Sequence, residues 1–342
     1  MSSSTTTTTT ASTSEIVRLY HKQKLSLEDT KVLYANEEFP GHSVPTVLTV
    51  EDASKAEEST TPLIVVLEKE QSFNTVADGE FAYDTKKYFD GLHTLLFGQH
   101  LLYAPLLSST QTIMMSQLTF TGQGLVLLAD LQNHAKGRGS NLWSSPPGCL
   151  TFSFKCKQED GTKLPFLQYL VGLAMIKAIG KESGVRLKWP NDIYAPNKQK
   201  IGGILCQSNH LNGKFDVVVG VGLNVANDQP TYSLEQLAPG QYTRETVLAK
   251  FFNEFENMYI KFTHHGFVSF AQEFMDVWLH TNQVVTLAEQ NQTVKVIGLS
   301  PNGFLQAAPC DGEGNIKSNQ IFELHPDGTS FDLAHLTIKK KQ

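Results

Sequence analysis

The sequence predicts an α+β protein, with a central region that mixes helices and strands and a small all-β barrel of about 60 residues behind it. Three observations predict it. Apolar residues recur at spacings of three and four over 163–184, where Leu164, Leu167, Leu170, Val171, Ala174 and Ala178 form a stripe, and again over 243–262. Strand-like runs lie between these helical stretches, alternating at Val185, Leu187 and Trp189 and almost wholly valine at 216–221. After Trp278 the helical spacing stops, and short β-like runs follow, separated by Asn, Gly, Pro and Asp.

Taken in order, residues 1–14 are nearly all serine and threonine, including six consecutive threonines at 5–10. Such a leader buries too little apolar surface to offset the entropy of ordering it, so it is expected to be disordered. It has neither the apolar centre of a secretory signal nor the Arg-rich amphipathic character of a transit peptide. A cytoplasmic protein is therefore expected, with the basic stretch from Arg18 to Lys24 leaving a mitochondrial alternative. Residues 15–80 carry 6 Lys/Arg against 13 Asp/Glu, 6 − 13 = −7, and read as an acidic extension with little chemistry of its own. A short helix at 15–23 and a strand at 63–67 are the elements expected there.

From residue 81 the pattern strengthens, and 81–279 is expected to form one α+β domain, with 280–342 as the barrel. The helix over 163–184 should be amphipathic and closed by a C-terminal glycine. The strand that follows ends at Pro190, and further strands are expected at 201–207 and 216–221, the second buried on both faces. Thr243 can cap a helix whose Val247, Leu248, Phe251, Phe252, Phe255, Met258 and Phe262 form one face. A second helix is expected over 267–279. The barrel strands are placed at 284–287, 294–298, 303–307, 319–324 and 337–340.

Composition narrows the function classes. The 342 residues suggest about two domains, and 40% are hydrophobic, enough for a sizeable core. No run approaches the roughly 20 apolar residues that cross a bilayer. The net charge of −6, from 28 Lys+Arg and 34 Asp+Glu, is concentrated in the N-terminal extension, so no basic footprint for nucleic acid exists. Cys149, Cys156, Cys206 and Cys310 show no C-x-x-C pair or zinc spacing and read as structural thiols.

Three polar, glycine-bearing stretches sit at strand ends, where backbone can approach a ligand. In 132–143, two glycines flank Arg138 and Lys136 lies two residues earlier, so the loop can fold over an anion. A basic surface turn fits the same composition equally well. In 188–205, Pro190 holds Trp189 extended and sends Asn191 and Asp192 into a turn. An amide and a carboxylate beside a phosphate suit Mg²⁺, which takes few protein oxygens, although Asn-Asp turns are common. Lys200 precedes Gly202 and Gly203, which let the chain pass close to a carboxylate or phosphate; an exposed lysine is the plainer reading. In 220–224, Gly-Val-Gly-Leu-Asn resembles the start of a dinucleotide fingerprint. The third glycine position is Val225, however, and no helix opens after it.

In combination these residues become recognisable. Lys136-Gly137-Arg138-Gly139-Ser140-Asn141-Leu142-Trp143, Lys188-Trp189-Pro190-Asn191-Asp192-Ile193-Tyr194 and Lys200-Ile201-Gly202-Gly203-Ile204-Leu205 resemble the central motifs of biotin protein ligases (holocarboxylase synthetases), in their order and separation. The resemblance continues through Ser108-Ser109-Thr110-Gln111, Gly220-Val221-Gly222-Leu223-Asn224, Trp278-Leu279-His280, Gly303-Phe304-Leu305 and 325–331, covering about residues 81–342. The pair Lys136 and Arg138 is closer to the eukaryotic type. The resemblance implies a class II synthetase-like mixed sheet with packed helices and an SH3-like C-terminal barrel.

It also implies a two-step reaction. Biotin is activated by ATP as biotinyl-5′-AMP and then passed to a lysine of the biotin-carrier domain of an apo-carboxylase. By the resemblance, Ser109, Thr110, Gln111 and Gln132 would hold the ureido end of biotin. Lys136, Gly137 and Arg138 would close over biotin and the adenylate. Lys200 would meet the biotin carboxylate or the α-phosphate, Asn191 and Asp192 would handle Mg·ATP, and Asn224 the nucleotide side. Lys200 and Arg138 are the catalytic candidates. No enzyme nucleophile is needed, and no Ser-His-Asp or Cys-His arrangement stands out. The acidic N-terminal region matches no winged helix-turn-helix, so a repressor role is not expected. A lipoate or octanoate ligase and a non-catalytic biotin-binding regulator are the competing readings.

Overall fold

The computed structural model describes residues 83–118, 122–211, 213–228, 231–326 and 329–340, together with the backbone strands Glu15–His21, Thr46–Thr49 and Leu63–Leu67. The leader 1–14 lies outside the described residues. Ten strands form one mixed sheet in the order 46–49, 63–67, 15–21, 100–107, 126–132, 149–158, 214–224, 200–211, 192–194, 186–188. Its centre is antiparallel: Cys149–Gln158 and Lys200–Leu211 flank Lys214–Asn224, with Phe152 opposite Val221 and Val221 opposite Ile204. Parallel pairing occurs between 100–107 and 126–132 and among the three N-terminal strands.

The segment expected as a short helix at 15–23 is the strand Glu15–His21, parallel to Leu63–Leu67 and antiparallel to His100–Leu107. Its Ile16, Val17 and Tyr20 are β-formers, and two neighbouring strands offer ladders that a lone helix of this length lacks. The acidic extension therefore contributes strands to the sheet.

The 16-residue helix Leu164–Ile179 ends at Gly180, whose φ is 101°. It is buried nearly all round rather than on one stripe, because it is sandwiched between the sheet and the 22-residue helix Arg244–His265. Thr243 caps that longer helix as expected, its side chain accepting from the Thr246 N–H. Phe251, Phe252 and Phe255 meet Phe97, Phe152 and Phe154, mostly edge to face. Each buried phenylalanine contributes roughly 2–3 kcal/mol, which makes this layer the main core.

The sheet's other face is covered only in part. There the short helix Thr110–Ser116 packs Ile113 and Met114 on Leu102, Leu127, Ala129 and Val218. Along 214–224 the odd residues Val217, Val219, Val221 and Leu223 face the long helices. The even ones, Val218, Gly220 and Gly222, face the thinly covered side. A face left open and floored with glycine is where the candidate site lies.

Past a 3-10 turn at Phe267–Phe270 and the helix Ala271–Val277, six strands form a barrel-like sheet in the order 322–324, 305–309, 292–299, 284–287, 337–340, 329–332. The strand Thr329–Asp332 was not among those expected; only its Phe331 is buried, so no hydrophobic run announces it. Among the described residues, no helix is long and apolar enough to cross a membrane. All four cysteines are free.

Candidate active site

Most of the residues singled out by sequence meet at one cavity on the glycine face. Ser109, Thr110, Gln111, Gln132, Lys136, Gly137, Arg138, Asn191, Asp192 and Lys200 all line it, with Trp143, Ser153, Lys188, Gly203, Gly220, Gly222 and, from the barrel, Ser330 and Phe331. The two glycines of the supposed dinucleotide loop lie inside a strand and form the floor. A Cβ on Gly220 would stand 2.5 Å from Gln111 Oε1, and one on Gly222 would stand 2.6 Å from Trp143 Nε1. Glycine inside a strand marks such close approaches.

One end of the cavity is polar and fixed. Ser109 caps helix 110–116 by accepting from the Thr112 N–H at 3.3 Å. Gln132 Oε1 accepts from the Thr110 N–H at 2.8 Å, while its Nε2 donates to Ser145 Oγ at 3.1 Å. Ser153 Oγ lies 2.9 Å from Thr110 Oγ1 and donates to Gln111 Oε1 at 3.2 Å; Gln111 Nε2 donates to Gln207 Oε1 at 3.0 Å. Donors and acceptors thus converge, held by each other, on an otherwise apolar wall. That suits a small neutral polar head with both N–H and C=O groups.

The other end is charged. Asp192 Oδ1 sits 2.7 Å from Lys200 Nζ, and Oδ2 lies 3.5 Å from Lys188 Nζ. Burial lowers the Lys188 pKa, with Lys200 acting in the same direction and Asp192 opposing. Lys200 Nζ also lies 5.7 Å from the Trp143 ring centroid. Asn191 donates its side-chain amide to Ile204 O at 2.8 Å, and the Ile204 N–H returns a bond to Asn191 O. Hairpin pairing of 186–188 with 192–194 holds this group together, across a cis Trp189–Pro190 peptide.

The loop 132–143 folds back on itself through Gly137 N–H to Asn141 O and Trp143 N–H to Ala135 O, with Gly139 at φ 68°. Arg138 reaches across to the barrel, donating to Pro326 O at 3.1 Å and Thr329 O at 3.2 Å. Loop and barrel together therefore roof the cavity.

Asn224 is the exception among the sequence candidates. It is buried past the end of the cavity, donating to Tyr232 O at 3.0 Å and accepting from Cys149 Sγ, so its amide does not reach the lining. Its place at the end of a glycine-bearing motif gave no hint of this. Lys188, Trp143, Ser153 and Phe331 line the cavity without having been assigned roles. Ser153 had a usable signal, a hydroxyl between Phe152 and Phe154 in a strand.

For Mg²⁺ the protein offers one carboxylate, Asp192, and one amide oxygen, that of Asn191. Among the described residues no group of three or more His, Cys, Asp or Glu side chains is placed to hold a metal. This set fits only an ion that arrives with most of its ligands, as Mg²⁺ on a triphosphate does.

Comparisons with known proteins place the chain in a family. Residues 103–224 match the Biotin/lipoate A/B protein ligase family. Biotin–protein ligase 2 of Arabidopsis thaliana is 37% identical over 288 residues, covering 78% of this chain and 85% of the relative. The chloroplastic biotin–protein ligase 1 of the same plant is 36% identical, covering 82% and 80%. The structure of the Aquifex aeolicus biotin protein ligase with biotin and ATP superposes with a TM-score of 0.55 at 26% identity, over 70% of this chain and 99% of that one. By these relationships the chain belongs to the biotin–protein ligase family and is an ATP-dependent enzyme that ligates biotin to protein.

Proposed function

We propose that the cavity joins biotin to ATP as biotinyl-5′-AMP, releasing pyrophosphate, and then hands the biotinyl group to a lysine of a carboxylase's biotin-carrier domain, releasing AMP. The observation that carries this reading is the division of one cavity into a neutral hydrogen-bonding end and a cationic end. Biotin has the matching halves, a ureido ring and a carboxylate. Ser109, Thr110, Gln111 and Gln132 would take the ureido ring. The valerate carboxylate would then lie toward Lys200 and Lys188.

In the first step a carboxylate oxygen bonds to the α-phosphorus and the bond to the β-phosphate oxygen breaks. Two anions must approach, so Lys200, Lys188 and Arg138 would offset their repulsion and the charge that builds on the α-phosphoryl oxygens. Mg²⁺, where bound on the triphosphate, would further neutralise it, with Asn191 and Asp192 the side chains available to it. Asn224 would contribute to the nucleotide side only by shaping the chain around Tyr232. In the second step the neutral ε-amine of the acceptor lysine attacks the acyl carbon, AMP leaves, and the amine proton passes to solvent. Lys136, Gly137 and Arg138, with Trp143, would shield the mixed anhydride from water in between.

ATP–pyrophosphate exchange with biotin and with lipoate supplied separately tests the reading. Exchange with biotin alone is expected. Exchange with lipoate alone would move the chain to the other branch of its family, and biotin binding without exchange would favour a regulatory protein.

A further inference from the structure

The strand 186–188 and the turn after it carry Lys188, Asn191 and Asp192 into the cavity, and part of what holds that turn comes from outside the catalytic sheet. The segment leaving the helix Ala271–Val277 runs beside the strand, with Leu187 bridging Trp278 and the Leu279 N–H donating to Leu187 O at 2.9 Å. One residue on, the backbone ladder stops and a side chain takes over. His280, with no exposed surface, accepts the Trp189 backbone N–H on Nε2 at 2.9 Å.

A nitrogen that accepts carries no proton, so the ring proton is on Nδ1 and is donated to Gln283 Oε1 at 2.8 Å. The ring packs 4.3 Å from Phe331, which itself lines the cavity, and stands edge-on to Trp278 at 5.4 Å. Trp189 has a second tether in the same direction: its indole N–H donates to Tyr169 OH at 2.8 Å, and that hydroxyl donates to Gly303 O at 2.7 Å. Both the amide and the ring of one residue are thus fastened toward the barrel.

Resting on the ligase reading above, we propose that His280 is a positioning residue for the adenylation step, through which the barrel fixes the Lys188–Asp192 turn in register with Lys200. The Asp192–Lys200 distance of 2.7 Å sets the scale of the requirement. A displacement of about 1 Å in groups that align reacting atoms can cost on the order of a hundredfold in rate. Histidine suits the place because it supplies a rigid acceptor and an aromatic face for Phe331 together. Glutamine can reproduce the acceptor alone, since its Oε1 reaches as far as Nε2 does.

The test compares wild type, His280→Leu and His280→Gln in biotin-dependent ATP–pyrophosphate exchange, with rates expressed per biotin-binding site so that misfolded protein is not counted. His280→Leu is expected to lower kcat per site by about tenfold or more and to raise KM for ATP. Biotin affinity should change less than about threefold, because the ureido ligands lie on other elements, and His280→Gln should recover most of the rate. A wild-type rate per site in His280→Leu, or an equal loss in His280→Gln, overturns the proposal. Should His280→Leu not fold, Gln283→Leu removes the partner that fixes the tautomer; a several-fold lower rate per site supports the role and an unchanged rate overturns it. Wild-type protein that binds biotin without exchange would refute the ligase reading alone. Amide hydrogen exchange at Trp189 then decides the anchor: faster exchange in His280→Leu, restored in His280→Gln, supports it, and equal protection in all three overturns it.

Discussion

Gly222→Ala is the sharpest single change the cavity offers. The residue lies within the strand Lys214–Asn224 and is not among the glycines at positive φ, so its backbone would accept alanine. Space is what forbids it. The added methyl would stand 2.6 Å from Trp143 Nε1 and 2.8 Å from Cζ2, with Cε2 closer still. The indole must therefore move, and overpacking of this kind costs about 1–3 kcal/mol. Trp143 ends the folded-back loop through its N–H to Ala135 O, so the strain falls on the closed loop more than on the sheet. If all of it opposes closure over biotin, affinity should fall by about 5- to 150-fold. Calorimetric titration of wild type, Gly222→Ala, Trp143→Leu and the double variant forms a cycle that isolates the contact. With the indole gone the methyl has room, so the glycine change should cost little in the Trp143→Leu background, giving a coupling of at least about 1 kcal/mol. Biotin binding by Gly222→Ala within twofold of wild type, or an equal loss in both backgrounds, would show that the glycine floor does not set the loop.

Four further outcomes are expected. Lys200→Ala should lower biotin-dependent exchange by roughly a hundredfold with an unchanged unfolding midpoint, and a near-normal rate would remove Lys200 from the chemistry. Arg138→Gly loses both hydrogen bonds to the barrel, so biotinyl-AMP should escape and label accessible lysines several-fold more in a mixed-protein assay; no increase would count against the latch. Asp192→Asn removes the counter-ion of Lys200, so biotin should bind up to about fivefold more tightly without Mg²⁺, the pair being part exposed, while ATP-dependent exchange falls; unchanged Mg-free affinity would confine Asp192 to the nucleotide. His280 is held by burial at a pKa of about 4, below its ordinary 6.5, so the unfolded chain binds the extra proton and stability is lost as pH falls from about 6.5 toward 4. Denaturant titrations at pH 7 and 5 should show wild type losing about 2 kcal/mol more than His280→Gln, and equal losses would contradict the buried neutral ring.

How legible all this was in the sequence depends on the kind of signal. Helix 244–265 could be read because one face is apolar and Thr243 precedes it. The helix 164–179 was found, but it was expected to run on to Gly184 where it ends at Gly180, and it was misread as amphipathic, since burial between sheet and helix leaves no polar stripe to see. The strand 15–21 failed because seven residues carry too little periodicity to separate helix from strand without knowing the neighbours. Motif residues were found because they cluster along the chain, and the fold brings ten of the eleven named candidates to one cavity. Asn224 shared a motif but not the cavity, since two residues along a strand move a side chain by about 7 Å. Phe331 and His280 were quoted as part of a resemblance, yet nothing local marks a residue whose partner lies 51 positions away, as His280 does from Phe331, or 91, as Trp189 does from His280.

The distribution of charge explains why the roof and the turn come from different parts of the chain. Lys188 and Lys200 face one cavity end and would repel each other without Asp192 between them. That carboxylate offsets the repulsion, and in the proposed reaction it also competes for Lys200 with the carboxylate or phosphate of the substrates. A lysine already paired at 2.7 Å exchanges partners at small net cost only if the new anion arrives along the same direction. The geometry of the turn therefore matters more than its charge, and geometry is what a short three-residue strand cannot hold alone. The tethers of Trp189 to His280 and to Tyr169 give the hairpin that rigidity, while Arg138 binds the same barrel from the loop side. The loop and the turn at the two edges of the cavity are thus tied to one common body, and in the proposed mechanism the barrel serves the chemistry by holding both edges at a fixed separation.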